Sequence, residues 1–246
     1  MKKKIKILYQ FATAKGKTKN GEEEIKKRKN FLENNIGSNS KITLSVPKKG
    51  PGSIETDYDE AIAIPNVIHS IINAEKEGFD VAIISCFSDP GLSASREKVK
   101  MPVIGSGETS IYLASQIGNA FSILSPLSNN KENFNRKISS IGLEKKYCST
   151  RSINTSVLNI AKNKKQSLNK IIEAGKMAIN KDGADVLILG CMSMAFHNIT
   201  EIIEKKLKVP VINPVKASLL MAESLVKMKI SHSKKAFPTP ADKIHY

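Results

Sequence analysis

Two stretches of this sequence repeat one pattern at an interval of nearly half the chain. The segments that end at Cys86 and Cys191 both read Gly-x-Asp-Val-x-Ile-x-x-Cys, and the two cysteines lie 105 residues apart. Each segment is followed by a stretch of helical periodicity and then by Lys-x-Pro-Val-Ile, at residues 100–104 and 208–212. Such a repeat predicts two similar lobes with a cleft between them. A pseudo-twofold relation between the lobes would make Cys86 and Cys191 counterparts.

Short runs of Ile and Val, bounded by Gly, Pro or Asp, predict seven β-strands: Lys4–Tyr9, Lys41–Val46, Val81–Ser85, Val103–Gly105, Ala120–Leu124, Val186–Gly190 and Val211–Ile212. They alternate with stretches of helical spacing, which include Ile62–Lys76, Leu168–Asn180 and Thr200–Leu207. Strands that are apolar on both faces and alternate with helices form parallel sheets covered on both sides. The sequence therefore predicts an α/β protein with two pseudo-symmetric lobes, each a mainly parallel sheet flanked by helices, and an active-site cleft between them.

The repeat also suggests where the lobes divide. We assign residues 1–105 together with 214–246 to the first α/β lobe and residues 106–213 to the second. Ser, Pro and Asn residues at the start of 125–137 predict a loop, and two prolines near the C-terminus predict an extended tail over 231–246.

Size and composition limit the class of protein. A chain of 246 residues can bury a core that needs no disulfide or metal to hold it. Its apolar runs are far shorter than the ~20 residues of a membrane span, so we expect no membrane partner. Three widely spaced cysteines form neither a disulfide framework nor a zinc motif, which favours a cytoplasmic location. No metal-ligand spacing links the four histidines, His69, His197, His232 and His245.

The strongly basic charge has an ordinary explanation. The net charge is +16, but the lysines are spread along the chain, with a modest cluster over residues 15–29. Nucleic-acid-binding proteins usually combine a basic stripe with arginines and aromatic stacking platforms, whereas this chain has no Trp and 5% aromatic residues. We therefore interpret the lysines as a solvated surface and expect a small-molecule substrate with no nucleic-acid partner.

The two repeated cysteines are the candidate catalytic residues. Ligands of parallel α/β sheets bind at the carboxyl ends of the strands, and Cys86 and Cys191 both follow a predicted strand. We expect the amides at 87–88 and 192–193 to open helices, whose N-termini would lower the thiol pKa and bind an oxygen anion. The alternative is that both thiols are small apolar core residues.

Two thiols on opposite sides of a cleft suit the inversion of a carbon acid. A thiolate removes the proton alpha to a carbonyl, and the opposite thiol returns one to the other face. Backbone amides would hold the enolate oxygen, so this chemistry requires no cofactor.

Three motifs resemble those of the aspartate/glutamate/hydantoin racemase superfamily, above all its hydantoin and allantoin racemase branch. They are Cys86-Phe-Ser-Asp-Pro-Gly-Leu, Pro102-Val-Ile-Gly-Ser-Gly-Glu108 and Gly190-Cys191-Met-Ser-Met194. Similar stretches begin at Gly52, Asp59 and Pro210, so the resemblance spans nearly the whole chain. It implies a two-lobed α/β fold and cofactor-independent racemisation, with Cys86 and Cys191 as the acid/base pair. It also implies a homo-oligomer.

The resemblance further implies a set of substrate-binding residues: Gln10, Phe87, Ser125, Met192 and Ser193. Ser125 stands where the family often has Thr. The branch usually carries Asn-Pro-Asn-Thr/Ser after the first strand, whereas this chain has Gln10-Phe-Ala-Thr13, where Gln10 would replace the substrate-facing Asn. This departure leaves open whether the substrate is a hydantoin, allantoin, an amino acid or another carbonyl compound.

Other interpretations remain at this point. A nucleophilic cysteine could perform cis–trans isomerisation or decarboxylation of a small dicarboxylate, as in the related maleate isomerases. A non-catalytic protein that binds a small anion is a further alternative. Among single residues, Asp89 is either turn chemistry that fixes a helix start or a catalytic group. His197 is either a surface residue or a neighbour of the cleft.

Overall fold

The computed structural model describes residues 4–17, 21–160 and 162–241. His245 and the end of the predicted tail over 231–246 lie outside these ranges. Eight strands form in the described residues: β1 (Ile5–Phe11), β2 (Ser40–Ser45), β3 (Val81–Ser85), β4 (Val103–Gly105), β5 (Phe121–Ser125), β6 (Tyr147–Ser152), β7 (Val186–Leu189) and β8 (Val211–Ile212). They form two four-stranded sheets with the orders β2-β1-β3-β4 and β6-β5-β7-β8. Every strand pair is parallel, and the strands follow an equivalent order in the two sheets, so both sheets have the same topology.

The described residues also form ten α-helices: α1 (Gly21–Glu33), α2 (Asp57–Lys76), α3 (Leu92–Lys98), α4 (Ser106–Ile117), α5 (Asn130–Ser140), α6 (Val157–Ile160), α7 (Lys164–Asp182), α8 (Met192–Ala195), α9 (Thr200–Leu207) and α10 (Pro214–Met228). Among the described residues, no helix has both the length and the apolarity that crossing a bilayer requires.

Two helices cross between the sheets. Helix α4 follows the last strand of the first sheet but packs against β7 and β8 as well as β3 and β4. Helix α10 follows the last strand of the second sheet and packs against β1, β3 and β4. The two helices also pack against each other, so they join the sheets into one body. The division of the chain at 105/106 and 213/214 stays a prediction.

The repeated sequence has a structural explanation in both sheets. Gly78 and Gly183 follow the ends of α2 and α7 with φ angles of 75° and 80°, in the left-handed region where glycine is favoured. The next repeated residue is an aspartate. Asp80 accepts a hydrogen bond from the Lys6 backbone N–H at 2.7 Å, and Asp185 accepts one from the Ala120 N–H at 3.0 Å. The carboxylate thereby joins the start of β3 to β1, and the start of β7 to β5.

The structure confirms all seven predicted strands to within two residues at each end. The sequence analysis missed β6, because this edge strand is half-buried along its length and has the polar sequence Tyr-Cys-Ser-Thr-Arg-Ser. The predicted loop over 125–137 is wrong beyond residue 129, where α5 begins. Helix α2 begins five residues before the predicted start, because Thr56 and Asp59 form a capping box there.

The C-terminal segment lies along the edge of the first sheet. Residues 231–241 contain neither a helix nor a strand. The Val103 N–H of the edge strand β4 donates to His232 Nε2 at 2.7 Å, and Ser231 Oγ donates to the Lys100 carbonyl at 2.6 Å. Burial lowers the pKa of His232 to about 4, which keeps this imidazole a neutral acceptor. The segment therefore covers an edge that would otherwise expose unpaired backbone groups.

We predict that Asp185→Ala lowers the free energy of unfolding by about 1–2 kcal/mol, because two backbone N–H groups before β5 lose their acceptor. Urea titration followed by circular dichroism measures this loss. Lys181→Ala, an exposed position on α7, serves as the control and should change stability by less than about 0.5 kcal/mol. An equal effect of the two substitutions would contradict the role given to Asp185.

Candidate active site

A cavity of about 440 Å³ lies where the carboxyl ends of both sheets meet. Residues at the ends of β1, β3, β5 and β7, or within two positions beyond them, line it, and a loop and helix start at 52–60 complete the wall. The lining includes Phe11, Thr13, Lys15, Arg28, Glu55, Glu60, Ser85, Cys86, Phe87, Pro126, Asn133, Gly190, Cys191, Met192 and Ser193. A volume of this size is typical of pockets that hold small organic molecules.

Both repeated cysteines contribute to this one cavity. Cys86 directly follows β3 and is half-buried, and Cys191 follows β7 and is 8% exposed. Neither forms a disulfide. Two thiols from equivalent positions of the two sheets therefore share a single binding space.

Three of the five predicted substrate-binding residues also line the cavity, namely Phe87, Met192 and Ser193. Gln10 and Ser125 do not, because their side chains are turned to backbone groups behind the wall. Gln10 Nε2 donates to the Phe11 carbonyl at 2.7 Å, and Ser125 Oγ donates to the Leu127 carbonyl at 2.9 Å. The replacement of the family's Asn by Gln10 thus places no amide on the wall.

The prediction that a helix opens after each cysteine is correct at one site and wrong at the other. Cys191 is the N-cap residue of α8, which begins at Met192. After Cys86 the chain instead forms a turn, in which Asp89 has a φ angle of 55°, and α3 begins only at Leu92. The Asp89-Pro-Gly91 sequence therefore separates Cys86 from the next helix.

The expected lowering of the thiol pKa is also wrong. Burial raises the pKa of Cys86 to about 12, although a hydrogen bond with Ser88, with 3.3 Å between Sγ and Oγ, opposes this rise. The carboxylates of Glu60 and Asp89 raise it further. Desolvation of the thiolate outweighs the local donors.

The charged groups near Cys191 are cations, whereas those near Cys86 are carboxylates. Burial raises the pKa of this thiol as well, but backbone N–H groups of Ser193 and Met194 oppose the rise. The cationic side chains of Arg28 and Lys15 oppose it too. The cavity thus has carboxylates near Cys86 and cations near Cys191.

Lys15 and Arg28 are two cavity residues that were not predicted from the sequence. They belong to the basic cluster over residues 15–29, which we interpreted as solvated surface. In the structure the two residues are 3% and 5% exposed, and both line the cavity. No local sequence signal distinguishes them from the exposed lysines around them, since their burial depends on how α1 packs.

Asp89 has a structural role at the cavity. Its buried carboxylate accepts hydrogen bonds from the backbone N–H groups of Gly107 and Glu108 at 2.9 and 2.7 Å, at the start of α4. Lys137 Nζ on α5 donates to the same carboxylate at 2.8 Å. Asp89 therefore does fix the start of a helix. This helix is α4, and not α3, which follows Asp89 in the sequence. The turn after Cys86 is thereby attached to both α4 and α5.

Gly107 permits the backbone at the start of α4 to approach the turn after Cys86 closely. A Cβ atom at residue 107 would lie 1.9 Å from the Phe87 carbonyl oxygen, which is a rigid backbone atom. The Gly-x-Gly sequence at 105–107 therefore forms the turn from β4 into α4, with Glu108 in the first turn of α4.

The remaining candidates lie elsewhere. His197 is half-buried and does not line the cavity, and burial lowers its pKa to about 4. Cys148 is half-buried on β6. Across the described ranges, no group of His, Cys, Asp and Glu side chains is arranged to hold a metal ion.

This geometry agrees with a known family of enzymes. A family model described as Asp/Glu/Hydantoin racemase matches residues 22–222. The chain belongs to this family. It is therefore an isomerase of the racemase type.

Individual relatives support the family assignment. The chain is 37% identical to a hydantoin racemase of Pseudomonas sp. (strain NS671) over 84% of this chain and 82% of the relative. It is 32% identical to a hydantoin racemase of Paenarthrobacter aurescens over 85% of this chain and 88% of the relative. The solved structure of allantoin racemase from Klebsiella pneumoniae superposes with a TM-score of 0.89 at 26% identity and covers 98% of this chain and 96% of its own.

We predict that Asp89→Asn destabilises the protein by roughly 3 kcal/mol, because it leaves the ammonium of Lys137 largely buried without its counter-ion. The double variant Asp89→Asn/Lys137→Met should recover part of this loss, since it removes the unpaired charge. Thermal or urea unfolding of these two variants and of Lys137→Met alone measures the coupling. Strictly additive effects of the two substitutions would contradict the proposed ion pair.

Proposed function

We propose that this protein racemises 5-substituted hydantoins, or a closely related carbonyl compound, without a cofactor and through a two-base mechanism in which Cys86 and Cys191 are the catalytic residues. The main support for the proposal is that the thiols of Cys86 and Cys191, at equivalent positions of two similar sheets, line the same cavity. The names of the relatives support the choice of substrate class, because the two curated relatives described above are hydantoin racemases.

The mechanism follows from two groups that face the same carbon. One cysteine, as the thiolate, removes the proton from the stereocentre alpha to the carbonyl, and the electron pair of the broken C–H bond moves into the enolate. The other cysteine, as the thiol, gives its proton to the opposite face of the carbon. The product has the inverted configuration, and the two cysteines have exchanged protonation states. The reverse direction then uses them in the opposite roles.

The walls of the cavity support such a step in two ways. The apolar side chains of Phe87 and Met192, both less than 6% exposed, reduce the access of water to the reacting carbon. The backbone N–H of Ser193 lies at the start of α8, and we propose that it stabilises the developing negative charge.

We predict that Cys86→Ala and Cys191→Ala each reduce racemisation by at least about 100-fold, since each removes one of the two proton-transfer groups. Chiral chromatography of single enantiomers of a 5-substituted hydantoin measures the rate. Cys148 lies outside the cavity, so the control variant Cys148→Ala should retain the activity of the unmodified protein. Full activity of Cys86→Ala would refute the two-base mechanism.

Serine variants test whether each cysteine acts on a different face of the alpha carbon. In D₂O, Cys86→Ser and Cys191→Ser should each retain exchange of the alpha proton with one enantiomer, and that enantiomer should differ between them. Proton NMR detects the loss of the signal. If a covalent adduct on one cysteine appears by intact-mass spectrometry instead, the nucleophilic isomerase or decarboxylase mechanism replaces the one proposed here.

We predict that kcat/KM rises from pH 7 to pH 9. Burial raises the pKa of both thiols, so the thiolate that acts as base is a minor form at neutral pH and becomes more populated as pH rises. Rates of deuterium incorporation, corrected for the reaction without protein, measure the profile. Circular dichroism at each pH confirms that the fold persists. A decline over this range with an intact fold would contradict a thiolate base.

A further inference from the structure

One wall of the cavity carries buried positive charge that the proton transfer between the two cysteines does not require. Lys15 and Arg28 line this wall and are 3% and 5% exposed. A buried cation is costly unless other groups compensate it. Glu24 pairs with both side chains, which lie beside the substrate space and near Cys191.

The contacts of Arg28 hold its guanidinium in a fixed position. Arg28 Nη2 donates to Glu24 at 2.7 Å and to Ser193 Oγ at 2.9 Å. The guanidinium carbon lies 4.7 Å from the centre of the Phe196 ring and 5.7 Å from that of Phe11. Because Ser193 and Phe11 also line the cavity, the guanidinium belongs to the substrate wall.

Arg28 retains hydrogen-bonding capacity in this position. A guanidinium has five N–H donors, and both hydrogen bonds that Arg28 forms within the described residues use Nη2. The Glu24 carboxylate serves two cations, since Lys15 Nζ lies 3.1 Å from it as well. Burial and the proximity of Arg28 lower the pKa of Lys15, as expected where positive charges are crowded.

Near Cys86 the lining carries negative charge instead, because the carboxylate of Glu60 is among the groups that raise the pKa of this thiol. Of the other acidic lining residues, Asp57 forms an ion pair at 2.8 Å with Arg136, which lines the cavity as well. A negatively charged part of a ligand is therefore attracted to the end formed by Lys15 and Arg28. The planar fork of an arginine matches the two oxygens of a carboxylate.

On the basis of the proposed racemisation, we propose that Arg28 and Lys15 form an anion subsite that selects hydantoins whose 5-substituent ends in a carboxylate. The ring would lie between Cys86 and Cys191, and its acidic substituent would extend along the wall to Arg28. A cavity of about 440 Å³ has room for both parts. The preferred substrates are then hydantoins derived from acidic amino acids.

A matched pair of ligands tests this selection. Hydantoin-5-acetic acid carries the carboxylate, and its primary amide, 5-(carbamoylmethyl)hydantoin, has nearly the same shape without the charge. We expect kcat/KM for racemisation to be at least about tenfold higher for the acid, because a hydrogen bond between two charged groups is stronger than one to a neutral amide. We expect isothermal titration calorimetry to give a correspondingly lower Kd for the acid.

Variants locate the effect on the two cations. Arg28→Gln and Lys15→Met should each reduce the acid-to-amide ratio by at least about fivefold. The ratio is insensitive to a general loss of active protein, because the same preparation is measured with both ligands. Lys15→Met keeps the test valid if Arg28→Gln does not fold. Lys27→Gln, which removes an exposed charge next to Arg28 on α1, should leave the ratio unchanged.

The outcomes separate the subsite from the proposed function. If both hydantoins are racemised equally well, the subsite is refuted and the racemase function stands. If neither is racemised but the acid binds more tightly than the amide, the subsite stands and the proposed reaction fails. If calorimetry shows no preference for the acid, or the variants retain the full ratio, the subsite is refuted.

Discussion

The register of the parallel strands is the constraint on which the rest of this structure depends. Ser85, the last residue of β3, pairs with Phe11, the last residue of β1, and Leu189 pairs with Leu124 in the second sheet. Because the paired strands end within one residue of each other, the chain leaves each sheet along a single edge. Cys86 follows one residue after β3 and Cys191 two residues after β7, so both thiols reach the common space. Repeated aspartates at the beginnings of β3 and β7 secure this register.

The burial that positions the thiols also makes them weaker acids. Desolvation dominates at both cysteines, and it raises the pKa of Cys86 to about 12. The proposed two-cysteine mechanism needs one thiolate and one thiol at a time, and the high thiol pKa values favour the thiol. Cations near Cys191 and carboxylates near Cys86 act in opposite directions on this balance. The two lobes are therefore similar in backbone but different in charge.

The substrate space is made by residues from many parts of the chain. Asp89 attaches the turn after Cys86 to α4 and α5, and Gly107 lets the backbone of α4 approach that turn. Arg28 reaches across from α1 to Ser193 on α8, 165 residues away in sequence. These contacts decide the shape and charge of the cavity, whereas the two cysteines decide the chemistry proposed for it.

The sequence by itself determined the α/β class, the strands β3 and β7, and the cysteines at their carboxyl ends. These were readable because strands buried on both faces are continuous apolar runs, and because the repeat placed the same residues at the same offsets. The tertiary structure alone decided the edge strand β6, whose half-buried polar residues carry no apolar pattern. It also decided that a turn follows Cys86, that Gln10 and Ser125 lie behind the cavity wall, and that Lys15 and Arg28 lie on it. Burial of a charged side chain depends on the elements packed around it, and a local run of lysines does not contain that information.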